Sequence, residues 1–525
     1  MTKIRKNILL CFLIIFSFYC SIIIGQTWDE YAEILKGNNV IEYLFSFGEI
    51  DNKNYYRQHY SPIYWSLLYI FTKQFPSNYL VESSHVINLI FSLSAIFGIA
   101  KLSQLLFNKK VSQITFLILF FYPIFFGHLS INNKDSILAI CHVWITYLIF
   151  RYLKKQHKKT KINKYIVIIG ILASIGSGIQ LVFLGSLTPI LIFLLFEIFL
   201  FKKIINNNFS KKKFLIDIIK SFVIFYFLLI LFWIDTHQNI FVLPFQFILS
   251  TFSDSFWTGW PYNLVNGNYY FSSEVPKTYL LTNLYFKSPE YFLFAYTIFP
   301  IILLFNKNFF FKKFIFFNYK ISFIIIILTY PILIFYIMPY PIYDGMRLFL
   351  WCIPYYCIIP SLTLYYLIEN FNLIKVKLIS FLFSILIVYF LTVFFLITPY
   401  QYTYLNIFNG KKENRYKKFE NDYWGASIKE LIEKSKFENN KTVNFSFCGV
   451  NEDAAKRYLH RKKNLIFSFV NHKNADYIIM TNRTASNKEN ALDSKKIINC
   501  FDKYNGENIF SVKRNGLTLS IIRKR

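Results

Sequence analysis

Residues 3–31 read KIRKNILLCFLIIFSFYCSIIIGQTWDEY, and this stretch sets the interpretation of the whole chain. Basic residues precede an apolar run from Ile8 to Ile24, and the acidic pair Asp29-Glu30 follows the run a few residues later. The start resembles a secretory signal sequence, but the run is long enough to span a bilayer and lacks a small-x-small cleavage site. We therefore predict an uncleaved first membrane helix with its basic end in the cytoplasm.

Apolar runs recur along the chain. It has 525 residues, of which 55% are hydrophobic and 21% aromatic, and its mean hydropathy is +0.37. A soluble chain of this length would divide into several domains with far fewer runs of about 18 or more apolar residues. The sequence predicts an α-helical polytopic membrane protein with about 11 spans. The predicted spans are 8–24, 83–106, 111–127, 135–153, 165–182, 183–201, 214–234, 291–305, 320–338, 348–368 and 377–397.

The formal net charge is +29, and lysine supplies most of it. No RNA- or DNA-binding motif accompanies the lysines, so we predict no nucleic-acid partner. With a cytoplasmic N-terminus, the lysine-rich loops all fall inside, as positively charged loops of membrane proteins do. The loops that then share the external face are those around Asp29, Asn132, Trp257 and Asp344, together with the tail after Thr398.

Two apolar segments, 61–75 and about 240–252, are too short or too broken to span a membrane. They predict interfacial or re-entrant helices on the external face.

The tail alternates short helical and strand patterns. Residues 442–447 (TVNFSF) and 475–480 (ADYIIM) predict strands, and residues 508–522 predict a hairpin that turns at Asn515-Gly516. We therefore predict two domains, namely a membrane domain at 1–397 and a small periplasmic α/β domain at 398–525.

Seven cysteines occur in the chain. Five lie in apolar segments and are expected to pack there. Cys448 and Cys500 lie in the polar tail, where they either pair in an oxidising compartment or stay free. No cysteine and histidine pattern indicates a zinc site.

The first candidate site is Trp28-Asp29-Glu30-Tyr31, at the external end of the first span. Transfer of a sugar from a phospholipid to a hydroxyl or amine needs one base near the acceptor. It needs no acid, because phosphate leaves readily once its charge is stabilised. One carboxylate of the pair can act as this base, while its neighbour can orient a substrate or a metal. The alternative is a solvated loop after a helix.

The second candidate is GHLSINNKD at 127–135, between the third and fourth spans. Asp135 supplies another carboxylate on the same face, and Lys134 supplies a cation for phosphate. The alternative is that Asn133 or Asp135 begins the fourth helix, where an acid complements the helix dipole. The two roles are compatible.

The third candidate is YPIYDGMR at 340–347, between the ninth and tenth spans. Arg347 is the sole cation of this short loop, and a guanidinium matches phosphate oxygens in a fork. Asp344 lies beside it. The alternative is that Arg347 anchors the helix end at the lipid headgroups.

Several weaker candidates remain. Arg57 and His59 suit phosphate binding or headgroup contact, and the loop containing Trp257 and Trp260 suits either sugar stacking or an interfacial aromatic belt. Asp422 of the DYWG stretch at 422–425 suits helix capping. Within spans, His142 and Glu197 are expected to be buried and hydrogen-bonded.

Together these pieces resemble bacterial members of the GT-C superfamily, close to the dolichyl-phosphate-mannose protein mannosyltransferase and aminoarabinose transferase group. Asp29-Glu30 matches the acidic pair of the first external loop in such enzymes, and Asp135 matches the acid of the second. The YDGMR turn at 343–347 and DYWG at 422–425 also look like a bacterial branch. The resemblance in topology covers most of the chain, whereas the matching motifs are short and separated.

The resemblance implies inverting transfer from an undecaprenyl- or dolichyl-phosphate sugar at the external face of a bacterial inner membrane. Asp29 is then the base, Glu30 or Asp135 positions the acceptor or a divalent metal, and Lys134 and Arg347 hold the phosphate. The sugar, the acceptor (a glycan, a lipid or a protein) and the need for a metal stay open. The rival interpretation is a non-enzymatic transporter of lipid-linked saccharide or polysaccharide, which would place ionisable residues near span centres.

Overall fold

The computed structural model describes residues 3–50, 60–156, 159–251, 259–437, 442–486 and 497–525. Helices dominate the described chain as far as Leu396, and most strands follow it. The helices are α1 (Lys3–Ile23), α2 (Glu30–Phe45), α3 (Ile63–Thr72), α4 (Leu80–Leu106), α5 (Lys109–Phe120), α6 (Pro123–His128), α7 (Asp135–Lys155), α8 (Lys159–Ile179), α9 (Phe183–Ser186), α10 (Thr188–Phe196), α11 (Lys211–Phe232), α12 (Leu243–Ser250), α13 (Tyr279–Lys287), α14 (Glu290–Lys313), α15 (Phe317–Ile337), α16 (Ile353–Tyr356), α17 (Ile358–Glu369), α18 (Ile374–Leu396), α19 (Ile428–Lys434), α20 (Glu452–His460) and α21 (Cys500–Lys503).

The membrane character of the chain is confirmed. Six helices among the described residues are long and apolar enough to cross a bilayer, and shorter apolar helices accompany them. The six are Ser77–Leu106, Asp135–Lys155, Lys211–Phe232, Glu290–Lys313, Phe317–Ile337 and Ile374–Leu396. Many of their apolar side chains stay exposed, as expected for surfaces that face lipid.

Three predicted spans are broken where one continuous helix was expected. These segments are 111–127, 183–201 and 348–368, and in each a new helix starts with a proline in its first turn, namely Pro123, Pro189 or Pro354. Proline lacks an N–H and disfavours a helical conformation in the residue before it, so it begins a helix more readily than it continues one.

The two short apolar segments differ from each other. In α3, Trp65 and Leu68 are fully buried and the helix packs against α2 and α4. In α12, Phe245 and Leu249 are exposed. An interfacial position therefore suits α12, whereas α3 is part of the packed core.

The strands are β1 (Tyr262–Val265), β2 (Asn268–Phe271), β3 (Val443–Cys448), β4 (Phe467–Phe469), β5 (Tyr477–Thr481), β6 (Thr484–Ser486), β7 (Ile497–Asn499), β8 (Glu507–Arg514) and β9 (Leu517–Lys524). β1 pairs with β2, and β6 with β7. The main sheet has the order β4-β3-β5-β9-β8, with β3 parallel to β4 and β5, and β9 antiparallel to both its neighbours. The predicted strands and the predicted hairpin are confirmed, and with them the small C-terminal α/β region.

The tail packs directly on the loops at one end of the helices. Its hydrophobic core includes Ile24 and Ile131 from those loops. The Gln26 N–H donates to the Tyr458 hydroxyl at 2.7 Å, and the Arg461 guanidinium lies 3.1 Å from the Glu82 carboxylate. This docking brings tail residues into reach of the loops that carry the candidate site residues.

Candidate active site

The first loop presents Asp29 at the start of α2. Glu30 fixes this loop from behind, because its Oε2 accepts the Thr27 N–H at 2.7 Å while its Oε1 lies 2.8 Å from Nε2 of the buried His85. The Glu30 carboxylate is buried and points away from Asp29, whose side chain is 38% exposed. Adjacent residues at a helix start project about 100° apart, so the two acids face different surroundings.

The second loop is held by Asn132. Its Oδ1 accepts the N–H groups of Lys134 and Asp135, at 3.1 and 2.7 Å, and its Nδ2 donates to the Asp135 carboxylate at 3.0 Å. These bonds satisfy backbone donors that α7 leaves unpaired at its first turn. Asp135 begins the helix, as one of the sequence alternatives expected, and the cap also orients its carboxylate.

The third loop makes a tight turn at Asp344 and Gly345, both with left-handed backbone angles (φ of 58° and 63°). A Cβ at Gly345 would lie 2.5 Å from Nζ of Lys287, and the left-handed φ is itself strained for other residues, so glycine is favoured here. The turn ends in Arg347, which is 4% exposed.

Arg347 is the point on which the three loops converge. Its Nη1 lies 3.2 Å from Asp344 and 3.9 Å from Asp29, and its Nε lies 3.5 Å from Asp135. We call these four residues the Arg347 cluster. Asp29 is the most exposed of the three acids, because the side chains of Asp135 and Asp344 are only 8% and 1% exposed. An acceptor would therefore reach Asp29 before the other two acids.

The tail supplies part of the wall around this cluster. The Arg347 guanidinium lies over the Trp424 ring at 4.7 Å from its centroid and over the Tyr343 ring at 5.1 Å. Its Nη2 also donates to the Tyr343 hydroxyl at 3.2 Å. Cation–π contacts of this kind hold a guanidinium flat against the rings.

A second group of charges adjoins the Arg347 cluster. Nζ of Lys134 lies 3.1 Å from Glu33, which is one helical turn after Asp29. Nζ of Lys134 and of Lys36 both lie over the rings of Tyr60 and Trp65. Two lysines over the same aromatic pair make a positive region beside the carboxylate of Asp29.

The charges decide the protonation of the two acids on α2. Burial opposes the charged form of Asp29, but the positive charges of Lys134 and Arg347 outweigh it and hold the pKa of Asp29 below its ordinary value. Burial raises the pKa of Glu33 to about 7, despite its contact with Lys134. Asp29 is therefore ionised at neutral pH, whereas Glu33 is close to half-protonated.

The site residues predicted from the sequence divide into three sets. The structure brings Asp29, Asp135, Asp344 and Arg347 together, with Lys134 beside them. It places Glu30 with His85 behind the loop. Arg57, His59 and Trp257 lie outside the described residues, and the first two stay predictions as phosphate ligands.

The weaker candidates have structural partners. The Asp422 carboxylate accepts the N–H groups of Ala426 and Ser427 just before α19, which is the capping role expected for it. His142 is buried, with Nδ1 2.8 Å from the Tyr355 hydroxyl and Nε2 3.0 Å from the Ser186 carbonyl. Glu197 is buried and accepts the Ile205 N–H at 2.9 Å.

Three residues near the site, Glu33, Lys36 and Arg483, were not singled out from the sequence. Glu33 follows Asp29 by one helical turn, and this spacing is a signal that could have identified it. Lys36 and Arg483 reach the site through tertiary contacts. Trp424, from the DYWG stretch quoted in the sequence analysis, reaches it in the same way. Arg483 lies 87 residues beyond Leu396, the end of α18, so no local spacing relates it to Asp344.

No group of three His, Cys, Asp or Glu side chains within the described ranges is arranged to hold a metal ion. Asp135 and Asp344 each contact Arg347, so a guanidinium already balances the charge that a cation would balance.

Residues 62–233 match the family described as dolichyl-phosphate-mannose-protein mannosyltransferase. No curated protein sequence matches the chain.

ArnT, solved in two states, resembles the chain in fold over nearly its whole length. ArnT from Cupriavidus metallidurans in the apo state has 12% identity and a TM-score of 0.51, covering 99% of this chain and 98% of that one. The same protein bound to undecaprenyl phosphate has 10% identity, a TM-score of 0.51 and the same coverage. The Archaeoglobus fulgidus oligosaccharyltransferase in the apo form has 12% identity and a TM-score of 0.48, covering 92% of this chain and 70% of that one.

The resemblance to GT-C glycosyltransferases predicted from the sequence is therefore confirmed, through the family match at 62–233 and through a membrane fold shared with ArnT along the whole chain.

Proposed function

We propose that this integral membrane protein is a glycosyltransferase that moves a hexosyl or pentosyl group from a polyprenyl-phosphate donor to an acceptor at the external face, with inversion. The acceptor is a hydroxyl or amine of a glycan, a lipid or a protein. ArnT, which shares the fold, has been solved with undecaprenyl phosphate, and this supports a lipid-phosphate donor here.

The convergence of the Arg347 cluster carries the proposal. Three carboxylates from three loops, separated by about 100 to 200 positions in sequence, lie within 4 Å of the Arg347 guanidinium. Placing such charges together is unfavourable unless they balance one another or bind a ligand. The partly exposed Asp29 beside a phosphate-matching arginine is what sugar transfer from a phospholipid requires.

Asp29 is proposed as the general base. Its carboxylate accepts the proton of the acceptor O–H or N–H while that atom attacks the anomeric carbon. The bond from that carbon to the phosphate oxygen breaks at the opposite face, and the electron pair leaves with the polyprenyl phosphate. A base must be ionised to act, and the lowered pKa of Asp29 keeps it ionised at neutral pH.

Arg347 and Lys134 are proposed to hold the donor phosphate. Their positive charges stabilise the phosphate as its negative charge develops, in a site shielded from bulk water. Asp344 and Asp135 fix two edges of the Arg347 guanidinium, and Glu33 holds Lys134 at 3.1 Å. Glu30 is proposed to support the loop of Asp29 rather than to touch a substrate.

We propose that the N-terminus is cytoplasmic and that the site and tail lie in the periplasm of a bacterial inner membrane. The lysine distribution supports this orientation. Cys448 and Cys500 form a disulfide in the tail, and disulfides persist in oxidising compartments. The proposed division into 1–397 and 398–525 follows the end of α18 and the start of the tail.

The alternative, a transporter of lipid-linked saccharide, is less well supported by the charges. Ionisable residues along a transport path are expected near span centres and in contact with the path. The polar atoms of His142 and Glu197 are instead hydrogen-bonded to protein partners. The charges of the Arg347 cluster lie in loops or, for Asp135, at the first residue of a helix.

The test is transfer from radiolabelled polyprenyl-phosphate sugars in membranes with and without the protein. We expect label to leave the lipid fraction and become covalently attached to an acceptor, and we expect EDTA to change this rate less than about twofold because cationic side chains supply the charge. Label that crosses the bilayer but stays on the lipid would support the transporter. A rate abolished by EDTA and restored by a divalent metal would show that the site includes one.

A further inference from the structure

Arg483 brings a second guanidinium from the tail to the third loop. It lies between β5 and β6, and its Nη2 is 3.3 Å from Oδ1 of Asp344. The other oxygen of the same carboxylate, Oδ2, is 3.2 Å from Arg347. Asp344 is thus shared by one arginine of the membrane part and one arginine of the tail.

The remaining contacts of Arg483 fix it in place. Its Nη1 donates to the Tyr423 carbonyl, and its guanidinium lies over the Trp260 ring at 4.2 Å and the Trp28 ring at 5.6 Å. The side chain is 5% exposed. Trp28 immediately precedes Asp29, so Arg483 also contacts the loop of the proposed base.

The disulfide of the tail lies directly behind Arg483. The Cys500 N–H donates to the Arg483 carbonyl at 2.9 Å. Gly449, which follows Cys448, has a left-handed backbone (φ of 67°), and a Cβ there would lie 2.6 Å from Cβ of Arg483 and 3.3 Å from Sγ of Cys500. The Cys448–Cys500 bond therefore ties together the two segments that border Arg483.

We propose that Arg483 is a positioning residue for donor binding, held by the Cys448–Cys500 disulfide, that restrains Asp344 and so leaves Arg347 available to the donor phosphate. The proposal rests on the glycosyltransferase function proposed above. Without Arg483, Arg347 is the one remaining ion-pair partner of the Asp344 carboxylate among the described residues, and the carboxylate is expected to close on it. A carboxylate paired tightly with Arg347 competes with the phosphate for the same donors.

The experiment compares Arg483→Gln with Arg461→Gln in the full-length protein. Arg461 is a matched control, because it also joins the tail to the membrane part, through Glu82 and the Asn78 carbonyl, but away from the Arg347 cluster. We expect Arg483→Gln to raise KM for the polyprenyl-phosphate sugar about 10-fold with kcat within about twofold, and Arg461→Gln to change neither more than about twofold.

Two further variants separate positioning from folding. Arg483→Lys retains the charge but cannot contact Asp344 and the Tyr423 carbonyl together, so its KM is expected between those of wild type and Arg483→Gln. The double substitution C448S/C500S removes the disulfide and keeps Arg483. We expect it to raise KM about threefold, and its effect tests the proposal even where Arg483→Gln fails to fold.

The outcomes are distinguishable. An unchanged KM in folded Arg483→Gln overturns the positioning role but not the proposed function. If Arg483→Gln does not fold, an unchanged KM in C448S/C500S has the same meaning. An equal rise of KM in Arg461→Gln would show a general effect of tail docking and also overturn it. Absence of transfer by wild type from any of the radiolabelled polyprenyl-phosphate sugars overturns the proposed function, and the role of Arg483 with it.

Discussion

Asp344 and Glu197 are both buried carboxylates, but their surroundings differ. The Glu197 carboxylate accepts hydrogen bonds from the backbone N–H groups of Ile204 and Ile205 and from the Tyr319 hydroxyl. Neither oxygen of Asp344 has a partner at hydrogen-bond geometry among the described residues, although two guanidinium groups lie within 3.3 Å. Nε of Arg347 is also buried without a hydrogen-bond partner among the described residues.

This difference in hydrogen bonding separates a carboxylate that stabilises the fold from one that can take part in binding a ligand. A buried carboxylate with every oxygen satisfied has no capacity left for a ligand, and it stabilises the fold around it. Charges that contact one another without good hydrogen bonds are arranged for a partner that completes them. We therefore expect substitutions in the Arg347 cluster to change transfer, and substitutions at Glu197 to change stability.

The largest effect is expected for Asp29→Asn. Removing the proposed base should lower kcat by about 1,000-fold, within the range that general-base catalysis supplies. Expression and thermal unfolding should match wild type, because Asp29 is partly exposed and Asn has the same shape. The measurement is label transfer in membranes, with Glu30→Gln beside it. Loss of transfer only in Glu30→Gln would reverse the roles of the two acids.

Arg347→Gln is expected to lower kcat/KM by about 100-fold, because it removes the fork that binds the phosphate. Arg347→Lys should recover only a small part, since an ammonium cannot contact Asp344 and Asp135 while binding phosphate. Steady-state kinetics with varied donor give both parameters. A change below about threefold in Arg347→Gln would place the phosphate elsewhere, with Lys134 as the next residue to test.

A smaller effect is expected from pH. The pKa of Glu33 is about 7 because of burial, so Glu33 is mostly neutral at pH 6 and mostly ionised at pH 8. Ionised Glu33 competes with the phosphate for Lys134, which lies 3.1 Å away. KM for the donor should rise about threefold from pH 6 to pH 8 in wild type and stay constant in Glu33→Gln.

Glu42→Gln, on the same helix but bonded to Asn38, serves as the control and should keep the pH dependence of wild type. A constant KM in wild type would mean that Glu33 does not govern Lys134 during binding.

The smallest effect on transfer is expected for Glu197→Gln. The amide oxygen can still accept the N–H groups of Ile204 and Ile205, but the negative charge is lost and an NH2 group replaces the oxygen that accepts from the Tyr319 hydroxyl. Hydrogen bonds to a charged group are stronger than those to a neutral one, so the free energy of unfolding should fall by about 2 kcal/mol. Thermal unfolding in detergent measures this loss, and kcat and KM should stay within about twofold. A fall in transfer of 10-fold or more without a lower melting temperature would remove the distinction between the two carboxylates.

Much of the site could be predicted from the sequence because its residues lie in loops of predictable sidedness. Asp29, Asp135, Asp344 and Arg347 each stand near the external end of an apolar run, and the alternation of spans assigns those ends to one face. Sidedness does not distinguish Asp29 from Glu30. Their separation depends on the turn of α2 and on His85 of α4, a contact across 55 positions.

Proline positions explain the main departures in the fold. Apolar runs reveal that a segment is buried in lipid or core, but the runs at 111–127, 183–201 and 348–368 each continue across a proline that begins a new helix. The apolar composition of the segment at 61–75 does not distinguish a helix that faces lipid from one that packs against protein. Only the packing of α3 between α2 and α4 decides that it faces protein.

By itself, the sequence determined that the chain is a polytopic membrane protein, that its conspicuous charges lie on one face, and that its tail forms strands, because periodicity and length are local properties of the chain. Tertiary structure alone decided that Arg347 gathers three acids, that Glu30 turns away, and that Arg483 of the tail shares Asp344. The physical reason is that these contacts join residues far apart in sequence, and the relative placement of packed elements sets them.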